Sequence, residues 1–316
     1  MAVKTAPKVL IFGYIGEKNA GDDLILLATL NSLRAEGARV TVLSSNPPLT
    51  EKVFKVKAVP SRKLLPVLRE LLNCDILVCG GGGIFQDKTS VSSVLYYSLL
   101  VLAARSLSKE IRLLHQGIGP LTTGIGRFLT RAVFNSAGNI SVRDIESKNT
   151  LRAIGVKARK LPVAGDAVQT LRAFSKRKRG KAKTVVFALR AAPESGNYLD
   201  AVAAVSDNLR RAGVSCKFVP FQLPQDRLPG LERGLYSDFK MVVKAIASAD
   251  VVAGARYHSL ILADMHGIPF IGLNYDAKIK NFCGQKKAPL LEPAKKDFKE
   301  RLESCIMKAL KKQRRK

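Results

Sequence analysis

Val9-Leu-Ile-Phe-Gly-Tyr14 is followed by Ile15-Gly-Glu-Lys-Asn-Ala-Gly-Asp-Asp23, an apolar run to about Glu36, Gly37, and Val40-Thr-Val-Leu43. The first six residues suit a buried strand. Asp22 or Asp23 predicts a helix cap, Gly37 a helix stop, and Val40–Leu43 the next strand. This is a βαβ unit, the signature of a parallel sheet covered on both faces. The same alternation continues outward. Helix 62–72, strand 76–79, helix 91–107, strand 111–115, helix 126–135 and strand 140–142 follow in turn.

The run Ser175-Lys-Arg-Lys-Arg-Gly-Lys-Ala-Lys183 interrupts the pattern and reads as a linker. Beyond it the alternation restarts: strand 184–189, helix 199–211, strand 216–219, helix 238–247, strand 251–253, helix 258–266 and strand 270–273. A terminal amphipathic helix carries Phe298, Leu302, Ile306 and Leu310 on one face and ends in cations. A chain of 316 residues accommodates two domains, since domains commonly run to roughly 100–200 residues. The predicted class is α/β, with two doubly wound domains facing across a cleft. Their expected limits are 1–171 and 184–316, with the basic linker at 172–183. Ligands in such sheets bind beyond the carboxyl ends of the strands.

The charge is unusual: 53 basic against 25 acidic residues leaves +28. Residues 172–183 and 293–316 together carry half of that excess. An acidic substrate, an anionic membrane surface and nucleic acid are the partner classes such a balance admits. With 6% aromatic residues, no tryptophan and no RNA-binding motif, nucleic acid is the weakest of the three. No apolar run approaches the ~18 residues that span a bilayer, and the N-terminus lacks a secretory pattern. A cytoplasmic location is expected. The basic terminal helix has two readings, lying on an anionic inner membrane face or packing on its own domain. The five cysteines lack metal-ligand spacing and read as buried or idle thiols.

Chemistry concentrates where strands should end. Gly13–Asp23 has neither the dinucleotide fingerprint nor a Walker A spacing, so it reads as a ligand-facing turn or simply a tight βα turn. Four glycines, Gly80–Gly83, exceed what a turn needs and suggest close backbone approach to a bound group. Gln86 and Asp87 follow them, and His115-Gln116-Gly-Ile-Gly-Pro120 repeats the theme one strand later. His115 reads equally as a core histidine or a catalyst. Arg143, in Ser141-Val-Arg-Asp144, is a ligand candidate or a partner of Asp144. Arg190 ends the first strand of the second half. Arg256-Tyr257-His258-Ser259 precedes a helix, where the dipole favours a neutral imidazole. Lys278 follows the next strand. Two cations and an imidazole can hold a small dianion and move a proton near neutrality. His266, near a helix end, reads as an end-of-helix interaction.

In this order the phrases resemble the polysaccharide pyruvyl transferase family, in particular its CsaB-type branch, which pyruvylates secondary cell-wall polymers. The resemblance rests on Gly13-Tyr-Ile-Gly16 with Asn19-Ala-Gly-Asp22, Gly80 to Asp87 with Thr89-Ser90, and Tyr96-Tyr97. Gln116-Gly-Ile-Gly-Pro120, Ser141–Asp144, Arg256–Ser259 and Tyr275-Asp-Ala-Lys278 complete it, so that it spans about Val9 to Phe282. It implies two Rossmann-like domains in a GT-B-like arrangement, with phosphoenolpyruvate as a co-substrate. Arg143, Arg256, His258 and Lys278 fall on family positions associated with donor binding and catalysis. Asp23 stands where glutamate is usual, and Ala277 where proline is common.

On that likeness, His258 is the expected acid–base group, with Arg143 and Lys278 sharing the catalytic work. Arg256, Arg143, Lys278, Tyr257 and Arg190 are the expected phosphoenolpyruvate ligands. Asn19, Asp22, Gly82, Gln86, Asp87 and Gln116 are expected to hold a lipid-linked saccharide acceptor. The chemistry calls for no metal and no cofactor. A nucleotide-sugar glycosyltransferase with the same layout is the first rival reading. The Arg-Tyr-His phrase with its distal lysine suits a compact anion better than a base and ribose.

Overall fold

β1 (Lys8–Phe12) buries every residue after Lys8, as a strand covered on both faces must. α1 (Ala20–Ala35) follows it and leads to β2 (Arg39–Ser44), parallel to β1 with Val9 opposite Val40. In the computed structural model, the structure describes residues 6–88, 91–171, 182–190, 198–226 and 238–312. The chain forms two units, residues 1–17 with 22–171 and residues 18–21 with 172–316. Residues 172–181 of the expected linker, Thr89, Ser90 and the basic end 313–316 lie outside the described residues.

In the first unit, α2 (Pro47–Phe54) leads to β3 (Lys57–Pro60), and α3 (Leu64–Asn73) crosses back to β4 (Ile76–Cys79). β5 (Gly82–Phe85), α4 (Val91–Ser106), β6 (Glu110–Ile118), α5 (Gly124–Ser136), β7 (Asn139–Val142) and α6 (Ile145–Ala153) follow. β3, β2, β1, β4 and β6 lie side by side, all parallel, and β7 takes the far edge of β6. β4 and β5 pair with successive stretches of β6, Cys79 opposite Leu113 and Gly82 opposite Gln116. Gly80 and Gly81 form the break between them.

The glycine run was expected to be loop; half of it is strand. A Cβ on Gly80 would meet Thr29 Oγ1 of α1 at 1.9 Å, and Gly81 and Gly82 have φ of +127° and +96°. The close approach is therefore to a helix of the same unit. α2 escaped the sequence reading because Pro47 and Pro48 look like a turn, yet they occupy its first turn behind the Asn46 cap.

In the second unit, β8 (Thr184–Ala188), α7 (Tyr198–Arg211), β9 (Ser215–Phe218), α8 (Phe239–Ala247) and β10 (Val251–Gly254) come first. α9 (Tyr257–Met265), β11 (Phe270–Leu273), α10 (Ala277–Lys286), β12 (Leu290–Leu291) and α11 (Phe298–Lys312) complete it. The strands are parallel in the order β12-β11-β10-β8-β9. Phe298, Leu302, Ile306 and Leu310 of α11 are buried in this unit's core with Val202 and Leu209 of α7. Of the two readings of the terminal helix, packing on its own domain accounts for its apolar face.

Each sheet reverses direction once. The chain runs from β1 outward to β3 and from β4 the other way; likewise β8 leads to β9 and β10 to β12. Such reversal points leave a crevice at the strand ends. They lie at Gly13–Gly16 and Gly80 in the first unit, and at Arg190 and Arg256 in the second.

Candidate active site

Arg256 follows β10 and occupies the cap position of α9 without a capping side-chain bond. Its Nε donates to Asp226 Oδ2 at 3.0 Å, its Nη2 to Asp226 Oδ1, and its Nη1 to Gln222 Oε1 at 3.3 Å. The Asp226 carboxylate is fully buried and also accepts from the backbone N–H groups of Phe221 and Gln222. A planar fork held on two nitrogens has one orientation left. No motif pointed to Asp226, which lies between the expected strand 216–219 and helix 238–247.

His258 stands two positions into α9, at the end where backbone N–H groups favour anions. Its imidazole lies against the backbone of Gly21, where a Cβ would come within 2.1 Å of Nδ1. Gly21 was expected in the first domain, but residues Lys18–Gly21 belong to the second unit. There Asn19 bridges Gln222 in antiparallel fashion, and the Ala20 N–H donates to the Phe221 carbonyl at 2.7 Å. Asn19 Oδ1 accepts from the Gly21 N–H at 3.0 Å and so caps α1. The expected cap, Asp22 or Asp23, falls instead in the first helical turn, where acids complement the dipole.

Tyr257 meets His258 edge-on at 5.4 Å and Phe282 of α10 at 5.7 Å. Lys278 lies one helical turn before Phe282, on the same face of α10. Its Nζ is 3.6 Å from Asp276, whose other oxygen caps the helix. Arg190, after β8, stacks over the Tyr275 ring at 4.5 Å, and its backbone is tied to the Tyr198 hydroxyl. Among the described residues no carboxylate pairs with Arg190. Arg190, Arg256, His258 and Lys278 thus follow three adjacent parallel strands, β8, β10 and β11. His266 is the C-cap of α9, as its position suggested.

In the first unit, Arg143 is 8% exposed. Its Nε donates to Asp144 at 3.0 Å, and its Nη1 lies 3.9 Å from Asp166. The guanidinium lies over Gly117, where a Cβ would meet Nη2 at 2.5 Å. Burial pushes the Asp144 carboxyl up, but Arg143 and the Ser147 N–H more than offset this and hold it below the usual range. Asp22 Oδ1 faces Gly82, and Gln86 Oε1 accepts from the Lys88 N–H at 3.0 Å.

Two expected acceptor ligands serve the fold. Gln116 is fully buried, donates to the carbonyls of Cys79 and Leu114, and accepts from the Cys79 thiol. Asp87 accepts four hydrogen bonds from the N–H and hydroxyl groups of Thr122 and Thr123. Burial raises its carboxyl, yet those bonds prevail and its pKa falls to about 2. His115 has its Nδ1 2.9 Å from the Gly165 carbonyl, at a left-handed backbone position (φ 54°). All five cysteines are free thiols, and burial pushes Cys79 and Cys283 up to about 11.

Solved structures share this architecture. A putative UDP-N-acetylglucosamine 2-epimerase from Listeria monocytogenes is 14% identical with a TM-score of 0.67, over 97% of this chain and 88% of that one. The UDP-GlcNAc 2-epimerase of Methanocaldococcus jannaschii is 14% identical with a TM-score of 0.61, over 96% and 92%. The spinosyn rhamnosyltransferase SpnG, complexed with thymidine diphosphate, is 14% identical with a TM-score of 0.56, over 96% and 91%. Likeness at this level defines the fold, a GT-B-like protein of two parallel-sheet α/β domains. The family model for polysaccharide pyruvyl transferases matches residues 19–277. The chain belongs to that family. Comparison with curated proteins found no match. The matched span takes in Arg143, Arg190, Arg256 and His258 and ends one residue before Lys278.

Proposed function

We propose that the protein transfers pyruvate from phosphoenolpyruvate to two hydroxyls of a sugar, forming a cyclic ketal and releasing phosphate. The acceptor is an N-acetylmannosamine-type residue of a lipid-linked cell-wall polysaccharide precursor. Family membership supports pyruvyl transfer as the reaction. The observation that carries the donor assignment is the row of Arg190, Arg256, His258 and Lys278 beyond adjacent strand ends of the second unit.

Phosphoenolpyruvate brings a phosphate and a carboxylate on one small electron-rich carbon skeleton. Arg256, fixed by Asp226, and Lys278 meet the anionic groups, with Arg190 and Tyr257 beside them. Arg143, its guanidinium oriented by Asp144 and Asp166, is kept as an assigned donor group. His258 delivers a proton to the terminal methylene carbon while a sugar hydroxyl bonds to the adjacent carbon. The hydroxyl proton returns to the imidazole. The carbon–oxygen bond to phosphate then breaks, the phosphate leaving with the bonding pair. A second hydroxyl adds to the same carbon, passes its proton to the released phosphate and closes the ring. No oxidation state changes overall, so the reaction itself needs no redox partner. Asn19, Asp22, Gly82 and Gln86 remain the assigned acceptor groups. Asp87 and Gln116 leave that set because their polar atoms are spent on the fold.

Incubating the purified protein with phosphoenolpyruvate and a synthetic lipid-linked aminosugar should release phosphate and add one pyruvyl unit to the acceptor mass. His258→Ala should lower turnover about 10²–10³-fold, the cost of losing a preorganised transition-state donor, with little change in donor binding. Release of a nucleoside diphosphate from a nucleotide sugar, with phosphoenolpyruvate inert, would reassign the chain to glycosyl transfer.

A further inference from the structure

α3, α4 and α5 cover one face of the first sheet, since Val67, Leu100, Val101, Val133 and Phe134 turn into one core cluster. α4 lies along both neighbours. The Tyr96 hydroxyl donates to the Ser61 carbonyl before α3, Lys109 donates to the Leu72 carbonyl at its end, and α4 packs on α5. The outward surfaces of these helices are apolar as well. α3 exposes Leu64, Leu65, Leu68 and Leu72, the first two by 71% and 79%. Leu95 and Leu99 continue the surface on α4, and Ile125 and Phe128 on α5. Of thirteen exposed large hydrophobic side chains among the described residues, nine lie on or just beyond these three helices. Scattered apolar residues need no explanation, but a contiguous group marks a contact surface.

Its charge is one-sided. The three helices carry Arg69, Arg105, Arg127 and Arg131, and a single acid, Glu70, already paired with Lys57 at 2.6 Å. Arg62 and Lys63 precede α3. We propose that this face seats the protein on an anionic phospholipid bilayer, with the leucines and Phe128 among the upper acyl chains and the cations at the headgroups. Apolar anchors flanked by cations match such an interface on both counts. α11 is the poorer candidate, because its apolar stripe is buried in the second unit. The inference needs neither donor nor acceptor and stands apart from the proposed reaction.

The chain has no tryptophan, so a single introduced one reports its own surroundings. Leu99→Trp should shift its emission to the blue with phosphatidylglycerol-containing vesicles and be quenched by brominated lipid. Met241→Trp, at an exposed position of the otherwise largely buried α8, should do neither. The triple variant Leu65→Glu, Leu99→Glu, Phe128→Glu should lower vesicle partitioning by roughly tenfold or more, with its melting temperature unchanged. The proposal is overturned if Leu99→Trp is indifferent to vesicles or if the triple variant floats like the parent. It is equally overturned if the substitutions abolish self-association in a protein that binds no vesicles, which would assign the face to a second copy.

Discussion

Asp226 illustrates how a side chain without a motif governs one with a motif. Its carboxylate holds Arg256 on two nitrogens and anchors the Phe221–Gln222 backbone that the Lys18–Gly21 segment pairs with. Removing one partner of a buried ion pair commonly costs about 3–5 kcal/mol, because the other charge stays buried. Asp226→Ala should therefore lower stability by that order in urea titrations. In the fraction that folds, KM for phosphoenolpyruvate should rise more than kcat falls. Asp226→Asn, which keeps an acceptor oxygen, should recover part of the KM but not the stability. At this scale the sequence was informative wherever a residue's charge was the message: Arg190, Arg256, His258 and Lys278 do follow neighbouring strands. Gln116 and Asp87 differ in spending their polar atoms on hydrogen bonds within the fold. A polar side chain near glycines at a strand end has the same local pattern whether it faces a ligand or ties down the chain, and only partners 35 and 37 residues away, Thr122 for Asp87 and Cys79 for Gln116, distinguish them.

Among the elements, α5 depends on a residue outside it. Asp87 binds Thr123, Thr123 Oγ1 accepts from the Gly126 N–H, and a Cβ on Gly126 would strike Asp87 Oδ2 at 2.3 Å. The folded pKa of Asp87, about 2, lies below the ~3.9 of an unfolded chain, so its ionised form favours the fold. That contribution is complete above about pH 4 and fades as pH falls toward about 2. Melting temperatures followed from pH 5 downward should fall more gently in Asp87→Asn than in the parent, from a lower starting value. Gly80→Ala tests the other constraint. Overpacking against Thr29 should cost about 1–3 kcal/mol, part of it recovered by adding Thr29→Ala. Long, strongly patterned elements were legible throughout, from β1 to α11. Among those that escaped, alongside β3, α6 and β12, were β5 inside a glycine run, α2 behind two prolines, and α10, whose Lys, Asn, Gln and Gly content hides the buried Ile279, Phe282 and Cys283.

For the molecule as a whole, the excess of +28 makes ionic strength a variable of the chemistry. If the strand-end cations of the second unit receive a doubly or triply charged donor, KM for phosphoenolpyruvate should climb with salt. A turnover number much less sensitive to salt would accompany it, because screening weakens encounter and ground-state binding first. A KM indifferent to salt would argue against a cationic donor site. Alternation of strands and helices made the two-sheet plan legible from end to end. The assignment of Lys18–Gly21 was not, because four residues ending in a glycine carry no periodicity to say which core they join.

That small segment gives the chain a threaded topology: it visits the second unit, goes back to build the first, and only then returns for good. A gene cut near residue 172 would therefore yield a C-terminal fragment missing one of its own pieces, with the Phe221 carbonyl stripped of its partner and the imidazole of His258 robbed of its glycine floor. Supplying the N-terminal fragment separately would restore that wedge only by reassembly. Dividing this protein at its most obvious seam should thus yield two inert halves that regain chemistry when mixed.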